Sequence, residues 1–328
     1  MLSCYRVRGA FSAVSALFRT RLRAFQHAVD LRLIIPACIV FLAVACSNEA
    51  PPPSAAAPEA APEAAPEAAA ESEAESEAED FRQWALPDKL REISGLALTS
   101  DERLLAVTDE QAIVYELDYE TGKLVKAFAL GRPVVSADFE GIAVLNDVVW
   151  LMTSKGELFA AREGENGERV AYDYYDTNLG KQCELEGLAE VTSRNSIALI
   201  CKEARKKNKQ RVFEWSQVNG RIEQIAEFDL PAKAMEDAVG KKKVRPSGLT
   251  INPDTGNWIV VAARQHAVFE LGDDGEFIDV IMRLDPDRHR QAEGIAVTRD
   301  GRLIIADEGG DGQARLSVYP TTTGNNKN

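Results

Sequence analysis

The chain has 328 residues, of which 45% are hydrophobic and 27% are charged, and its formal net charge is −14 at neutral pH. Residues 47–80 contribute −10 of this charge and residues 1–46 contribute +5, so residues 81–328 carry −9. A domain this acidic argues against binding to a polyanion, and we expect no nucleic acid among its partners.

The first 46 residues are typical of an export signal. Residues 31–45 form an apolar run interrupted only by Arg32 and Pro36, which suits a signal peptide and is short for a membrane span of about 20 residues. The run ends in L-A-V-A-C, which resembles a bacterial lipobox with Cys46 as the lipidated residue, although Ala43 stands where leucine is commonest. A-V-A at 43–45 also fits ordinary cleavage before Cys46.

Both interpretations export the protein, and we favour the lipoprotein because a spacer follows the cysteine. Residues 47–80 consist mainly of Pro, Ala, Glu and Ser, with A-P-E-A repeated. Such a segment cannot bury a core, and we expect a disordered tether. It would act as a stalk from a membrane or as a simple spacer. Ser47 after the cysteine, rather than Asp, favours the outer membrane by the known sorting rule for lipoproteins.

Residues 81–320 repeat one short phrase five times. The phrase reads I-S-G-L-A at 93–97, E-G-I-A at 140–143, E-G-L-A at 186–189, P-S-G-L-T at 246–250 and E-G-I-A at 293–296. Its glycines are 46, 46, 61 and 46 residues apart. A period of this length is the signature of a repeat architecture.

The first repeat predicts four antiparallel strands, at residues 92–99, 103–107, 112–117 and 124–130, separated by polar turns. Four short strands of this kind make one propeller blade, and the connections are too short for crossover helices. We therefore predict an all-β fold, a five-bladed β-propeller. An open sandwich or two small β domains is the alternative, which the regular period disfavours.

The last repeat has only three strands, at 293–298, 302–307 and 314–319. The fourth strand of other blades ends in F-A-L-G (128–131) or F-D-L-P (228–231), and W-A-L-P at 84–87 has the same pattern before the first repeat. We predict that the N-terminal strand 81–87 completes the last blade and closes the ring, which leaves no unpaired edge there. Residues 321–328 are expected to be a disordered tail.

Cys183 and Cys201 are the only cysteines after Cys46. An even pair in an exported domain is a candidate disulfide. Simple strand register, however, places Cys201 nearer Gly187 than Cys183, so a bridge requires the chain before Glu184 to curl. Two ordinary buried thiols are the alternative.

Carboxylates recur at one end of the predicted blades, since inner strands start and second strands end on the same face. Inner strands begin at Ser94, Glu140, Glu186, Ser247 and Glu293, and second strands end near Asp109, Glu110, Glu203, Asp307 and Glu308. Like charges this close raise one another's pKa, and a hard cation such as Ca²⁺ relieves the repulsion. Clusters of Cys or His for a softer metal are missing from the sequence. The alternative is that each E-G is structural, with glycine allowing close strand approach.

Two basic segments, 202–211 and 241–245, are predicted over the same face. They suit an anionic ligand, although solvated loop charges explain them equally well. The nucleophile motif G-x-S-x-G does not occur. Of the domain's two histidines, His266 is expected on a strand or at the surface, and His289 is placed by its position before Glu293 near the channel mouth.

Several motifs together resemble the SdiA-regulated (YjiK-like) propellers. They are the S-G-L opening, V-T-D-E at 107–110, D-F-E-G-I-A at 138–143, E-L-E-G-L-A at 184–189, C-K-E at 201–203, P-S-G-L-T at 246–250, Q-A-E-G-I-A at 291–296 and I-A-D-E at 305–308. The resemblance covers about residues 81–320. It implies a five-bladed, calcium-binding propeller related to NHL-repeat and to phytase-like or esterase-like propellers, some of which hydrolyse phosphoesters or lactones.

This family has no firmly assigned activity of its own. The metal positions that the resemblance carries to this chain are Glu140, Glu186 and Glu293, with Glu203 and Glu308 as second candidates. Ser94 and Ser247 replace glutamate in blades one and four, and residues 232–245 have no clear counterpart in the shorter blades.

Two functional hypotheses follow. The first is an exported, lipid-anchored, monomeric calcium-binding module of the cell envelope that recognises an anionic small molecule or an envelope component. The second is a calcium-dependent hydrolase, phosphoesterase/phytase-like or lactonase/esterase-like, with a glutamate or His289 as base. No complete catalytic set is visible, which favours the first, but the sequence does not decide whether the protein is an enzyme.

Overall fold

The computed structural model describes residues 81–206, 208–218 and 220–321, all of which lie within one compact unit. The predictions for the signal segment 1–46, lipidation of Cys46, the tether 47–80 and the tail beyond Thr321 lie outside these residues.

Five antiparallel sheets confirm the predicted five-bladed propeller. The strands are β1 (Arg82–Ala85), β2 (Ile93–Leu98), β3 (Leu104–Thr108), β4 (Ile113–Asp118), β5 (Lys123–Leu130), β6 (Phe139–Leu145), β7 (Val148–Thr153), β8 (Glu157–Arg162), β9 (Arg169–Val170), β10 (Asp173–Asp176), β11 (Cys183–Val191), β12 (Ser196–Ala204), β13 (Arg211–Val218), β14 (Arg221–Asp229), β15 (Gly248–Ile251), β16 (Trp258–Ala262), β17 (Ala267–Leu271), β18 (Phe277–Arg283), β19 (Ala292–Val297), β20 (Leu303–Asp307) and β21 (Arg315–Tyr319).

The inner strand of each blade is β2, β6, β11, β15 or β19, and the other strands follow outward in each sheet. The orders are β2-β3-β4-β5, β6-β7-β8-β10, β11-β12-β13-β14, β15-β16-β17-β18 and β19-β20-β21-β1, and β9 adds a short parallel edge beside β5. Short 3₁₀ helices span Asp88–Leu90, Leu179–Lys181, Thr192–Arg194 and Ala263–Gln265.

The hydrophobic core lies between adjacent blades. Strands β3 and β16 are buried along their whole length, because each second strand packs against a neighbouring blade on both faces, and their sequences accordingly read as continuous apolar runs. One cluster, for example, joins Leu104 and Tyr115 of blade 1 to Ile304 and Leu316 of blade 5. The outer strand β14 is mostly exposed.

The N-terminal strand closes the ring as predicted. Strand β1 pairs antiparallel with β21, from Arg82 opposite Val318 to Ala85 opposite Arg315. The next residue, Leu86, is 1% exposed and packs in the cluster between blades 1 and 5. The first and last segments of the propeller therefore share one sheet and one core.

Cys183 and Cys201 form a disulfide, with their Cα atoms 5.7 Å apart. The β11–β12 ladder shifts register between Glu184 and Leu185 and again between Leu185 and Gly187. These irregularities are the curl that the sequence required, since a β-bulge bends one strand relative to its partner.

One α-helix, α1 (Ala232–Val239), occurs within the described ranges, in the long connection into blade 4. It ends at Gly240, whose φ of 67° suits the left-handed position after a helix. Met235 on this helix is fully buried in the core formed by blades 3 and 4. Within the described segments, no helix combines the length and the hydropathy needed to cross a membrane.

Deleting residues 81–85 should strongly destabilise the domain, because β21 would lose its hydrogen-bonded partner and leave an open edge that promotes aggregation. We expect a lower melting temperature by circular dichroism and oligomers by size-exclusion chromatography. Deleting residues 47–78 is the control and should leave both unchanged, since that composition cannot contribute to a core. A monomer lacking 81–85 that melts like the wild type would contradict ring closure by β1.

Replacing both Cys183 and Cys201 with alanine should reduce the free energy of unfolding by about 3 kcal/mol, the chain-entropy value for a loop of similar length, since the two cysteines are 18 residues apart. Urea denaturation with and without reductant measures this loss. Reduced wild-type protein should unfold like the double variant, which itself should not respond to reductant. Equal stability of oxidised and reduced wild-type protein would contradict a stabilising bridge.

Candidate functional site

The five inner strands approach one another closely around the propeller axis through their glycines. A Cβ on Gly141 would lie 2.8 Å from both the nitrogen and the Cβ of Leu188 in the next blade, and a Cβ on Gly248 would meet the carbonyl oxygen of Glu293. No side chain fits at these positions. Close strand approach at the channel, the structural alternative for the E-G phrase, therefore does require glycine.

The close approach brings three predicted glutamates to one place. Glu140, Glu186 and Glu293, which we call the carboxylate ring, line a narrow cavity of about 10 Å³ at the start of the inner strands. A cavity of this size is at the lower limit for one water molecule. The space between the three glutamates is therefore on the scale of one ion or water molecule.

Glu186 is the most buried of the three, at 2% exposed. Its Oε1 accepts a hydrogen bond from the Lys202 ammonium. Its Oε2 is buried and has no hydrogen-bond partner among the described residues. An unsatisfied buried acceptor costs about 1–3 kcal/mol of folding free energy, so this oxygen destabilises the protein.

The ring is short of positive charge. Burial, reinforced by repulsion from the Glu186 and Glu293 carboxylates, raises the pKa of Glu140 far above its usual range. Burial raises the pKa of Glu293 to about 8, although a hydrogen bond from Gln291 Nε2 at 2.9 Å opposes the shift. Burial raises the pKa of Glu186 as well, despite the adjacent Lys202. Near neutral pH the ring therefore favours protons or another cation.

A second group of carboxylates lies beside the ring. The Gln291 side-chain amide donates to both Glu293 and Glu308, and burial and then the neighbouring Glu92 charge raise the pKa of Glu308. Burial and repulsion from Glu92 raise the pKa of Asp109 to about 6. Glu92 was not among the sequence-predicted residues, because it precedes the repeated phrase; the equivalent positions in blades 2 and 3 are Asp138 and Glu184.

Glu203 lies apart from the ring. Its half-exposed carboxylate pairs with the Arg245 guanidinium at 2.5 Å. The adjacent Lys202, by contrast, turns toward the ring, as its hydrogen bond with Glu186 shows. Of the two second-choice ligands, the structure thus brings Glu308 near the ring and leaves Glu203 at its edge.

His289 does not face the channel mouth, which corrects the sequence-based placement. It is 1% exposed, with Nδ1 2.7 Å from Asp307 Oδ2 and Nε2 2.6 Å from Tyr319 Oη. The loop before β19 folds the imidazole inward, between groups carried by β20 and β21. Asp307 is consequently engaged inside blade 5 and is 2% exposed, so neither residue is available to a ligand at the ring.

The two serines in the repeated phrase hold neighbouring blades together. Ser94 Oγ donates to the carbonyl of Phe139 at 2.8 Å, and Ser247 Oγ donates to the carbonyl of Ala292 at 2.6 Å. Each bond joins one inner strand to the next. The serines thus replace glutamate at the contacts of blade 1 with blade 2 and of blade 4 with blade 5.

Lys202 is the site residue that sequence analysis placed only in a basic segment. Strand register puts it two residues beyond Ile200, the partner of Gly187. The equivalent positions in the other blades are Asp109, Ser154, Ala263 and Glu308. When the second strands are aligned on the residues that pair with the channel glycines, this position is a lysine in blade 3 and an acidic or small residue in the other four blades. That alignment could have identified Lys202 from the sequence.

The two basic segments meet at a cavity of about 760 Å³, here called the basic cavity. Its cationic side chains are Lys202, Lys209, Lys233, Lys243 and Arg245. Some of them already have anionic partners, as Lys209 pairs with Asp229 and Lys233 with Asp237. Lys202 belongs to both sites, since it lines this cavity and also binds Glu186 of the ring.

The donor atoms of the ring suit a hard cation, because they are carboxylate oxygens and one of them is unpartnered. Their present arrangement is not a finished coordination shell. Within residues 81–206, 208–218 and 220–321, no three or more His, Cys, Asp or Glu side chains are grouped so that they could hold a metal ion. The Lys202 ammonium binds one of the oxygens that such an ion would use.

Residues 228–327 match the family model described as SdiA-regulated, so the resemblance seen in the motifs is confirmed over this stretch. No curated protein matches the chain. Similar solved structures include a glutaminyl cyclase from Myxococcus xanthus (TM-score 0.48, 13% identity, 73% of this chain and 94% of that chain). A gluconolactonase from Xanthomonas campestris has a TM-score of 0.40 and 12% identity (70% and 72%). A streptogramin B lyase has a TM-score of 0.41 and 17% identity, and the match covers 75% of this chain and 74% of that chain.

The raised pKa of Glu293 predicts how stability depends on pH. A carboxyl whose pKa is higher folded than unfolded destabilises the fold as it ionises, so the free energy of unfolding should fall as pH rises from about 5 to about 8, by roughly 1.4 kcal/mol per unit of raised pKa. Urea denaturation in chelator at several pH values measures this fall. Glu293→Gln should flatten it, whereas Glu227→Gln on exposed β14 should not. Equal slopes in the wild type and Glu293→Gln would contradict the assigned shift.

Proposed function

Since its last two blades match the SdiA-regulated family, we propose that this protein is a calcium-dependent binding module. In this proposal the carboxylate ring holds one Ca²⁺ ion, and the adjoining basic cavity recognises an anionic small molecule or an anionic component of the cell envelope.

The unpartnered Glu186 Oε2 carries the first half of the proposal. It is buried in a space of about 10 Å³ that Glu140 and Glu293 also line. Burial, together with repulsion from neighbouring carboxylates, raises the pKa values of Glu140 and Glu293, and the nearby Lys202 ammonium offsets these shifts only in part. Ca²⁺ accepts carboxylate oxygens in flexible geometry, and Glu140, Glu186 and Glu293 would hold it once their side chains converge, because the described residues do not present a finished group of metal ligands.

Lys202 supports the second half. A cation in the ring would compete with the Lys202 ammonium for the Glu186 carboxylate, to which that ammonium is hydrogen-bonded. The same side chain lines the basic cavity with Lys209, Lys243 and Arg245. Occupancy of the ring would thus increase the positive charge available to an anion in the cavity, which links the two sites.

We place this module outside the cytoplasm, anchored to a membrane through lipidated Cys46 and held away from it by residues 47–80. The outer membrane is favoured because Ser47, rather than an aspartate, follows the lipidated cysteine. The disulfide between Cys183 and Cys201 supports an oxidising compartment, because structural disulfides are rare in the bacterial cytoplasm. Replacing Cys46 with alanine should release the protein from membranes.

A calcium-dependent hydrolase of phosphoesters or lactones is the second candidate. One observation favours it: burial and the neighbouring Glu186 and Glu293 charges raise the pKa of the Glu140 carboxyl, which makes it a candidate general acid. The ring cavity, however, is too small for a substrate, and His289 is engaged elsewhere. Turnover of phosphoesters or lactones that chelator abolishes would establish the enzyme and reject a purely binding role.

Calcium titration tests the ring. The melting temperature of wild-type protein should rise with Ca²⁺, since a ligand at a hundredfold excess over its Kd stabilises by about 2.7 kcal/mol. Glu186→Gln should weaken this response without preventing folding. Lys202→Met should strengthen calcium binding by removing the competing ammonium, and Glu227→Gln is the control outside the ring.

Isothermal titration calorimetry with the same variants separates the outcomes. Absence of both binding heat and thermal shift in the wild type would reject the calcium site. Calcium binding that Lys202→Met weakens would contradict the competition between the ion and the ammonium.

A further inference from the structure

The other end of the central channel, where the inner strands finish, opens into a second cavity. This distal mouth has a volume of about 700 Å³ and is lined by the turns that connect the first and second strands of the blades. Its volume lies within the range of small-molecule pockets, about 300–1,000 Å³. Neither the carboxylate ring nor the basic cavity contributes residues to it.

One position of the repeat forms a collar around this mouth. It is the third residue after each channel glycine, and its five members are Leu98, Val144, Glu190, Ile251 and Val297. All five line the cavity and are partly exposed. Four blades therefore place an aliphatic side chain in the collar, and blade 3 alone places a carboxylate.

Glu190 has no charged partner in the part of the chain that the structure describes. Burial raises the pKa of the Glu190 carboxyl to about 7, and its own backbone N–H opposes that shift. The two arginines at the rim of the mouth are engaged elsewhere. Arg194 binds Glu214 and Asp273, at 2.8 and 2.6 Å, and the Arg299 guanidinium donates to the Ser100 carbonyl.

The fold does not require a carboxyl group at this position, because an aliphatic residue serves in the four equivalent blades. A partly buried and unpaired carboxylate is destabilising. Residues that break a local rule at the expense of stability are expected at functional sites. Four carboxylates line the mouth, Glu102, Asp147, Glu190 and Asp273, against two arginines, Arg194 and Arg299, so its lining is acidic on balance.

We propose that the distal mouth binds a small molecule with an apolar body and one protonated amine, the body packing against the aliphatic collar and the amine pairing with Glu190. This site is separate from the proposed calcium ring. Glu190 lies four residues beyond Glu186 along β11, which is about 13 Å of extended strand, and the two face opposite ends of the channel.

Three six-carbon probes of equal body and different charge test the proposal: hexylamine, hexan-1-ol and hexanoate. Methyl-labelled protein, studied by NMR near neutral pH, should bind hexylammonium about tenfold more tightly than hexanol and should not bind hexanoate. The methyl resonances of Leu98, Val144, Ile251 and Val297 should report the binding.

Glu190→Leu, which restores the aliphatic repeat, should lose the preference for the amine while still binding hexanol, and the retained hexanol binding shows that the mouth is intact. Asp147→Asn is the matched control, a rim carboxylate outside the collar, and should keep the preference. Equal affinity of wild-type protein for amine and alcohol would overturn the proposal. So would an amine preference that survives in Glu190→Leu or disappears equally in Asp147→Asn.

Discussion

The contact between backbone atoms of neighbouring inner strands is the constraint on which the rest of this propeller depends. Glycine at the channel lets each inner strand approach the next to a distance that a Cβ atom would prevent, as at Gly141 against Leu188. Because the strands come so close, whatever side chains precede these glycines are also forced together. The structural requirement for glycine and the chemical crowding of glutamate are two consequences of one geometry.

The crowding causes repulsion between the glutamate carboxylates, and the other residues around the channel reduce that repulsion only in part. Lys202 neutralises one carboxylate of the ring, while Ser94 and Ser247 reduce the number of acidic groups by replacing glutamate in two blades. The remaining imbalance appears as raised pKa values and as the unpartnered Glu186 Oε2. A protein selected for stability alone would have placed serine or a neutral amide at these positions as well.

Exceptions to the repeat, rather than the repeat itself, mark the candidate sites at both ends of the channel. At one end, Lys202 stands where other blades have Asp109 or Glu308, and the insert containing α1 adds the wall of the basic cavity. At the other end, Glu190 stands among four aliphatic residues. Blade 3 supplies both exceptions, and it also contains the disulfide, whose constraint holds the start of β11 against β12.

The sequence by itself determined the all-β class, the number of blades and the closing strand, because each follows from a period and a strand signature that local residues impose. It also placed Glu140, Glu186 and Glu293 on one face, since strand direction alternates regularly within a blade. Only the tertiary structure decided which neighbours share that face: Lys202 turned toward the ring, Glu203 turned away, and His289 folded into blade 5. Those outcomes depend on bulges, loop paths and ion pairs between segments distant in the chain, which a strand pattern does not encode.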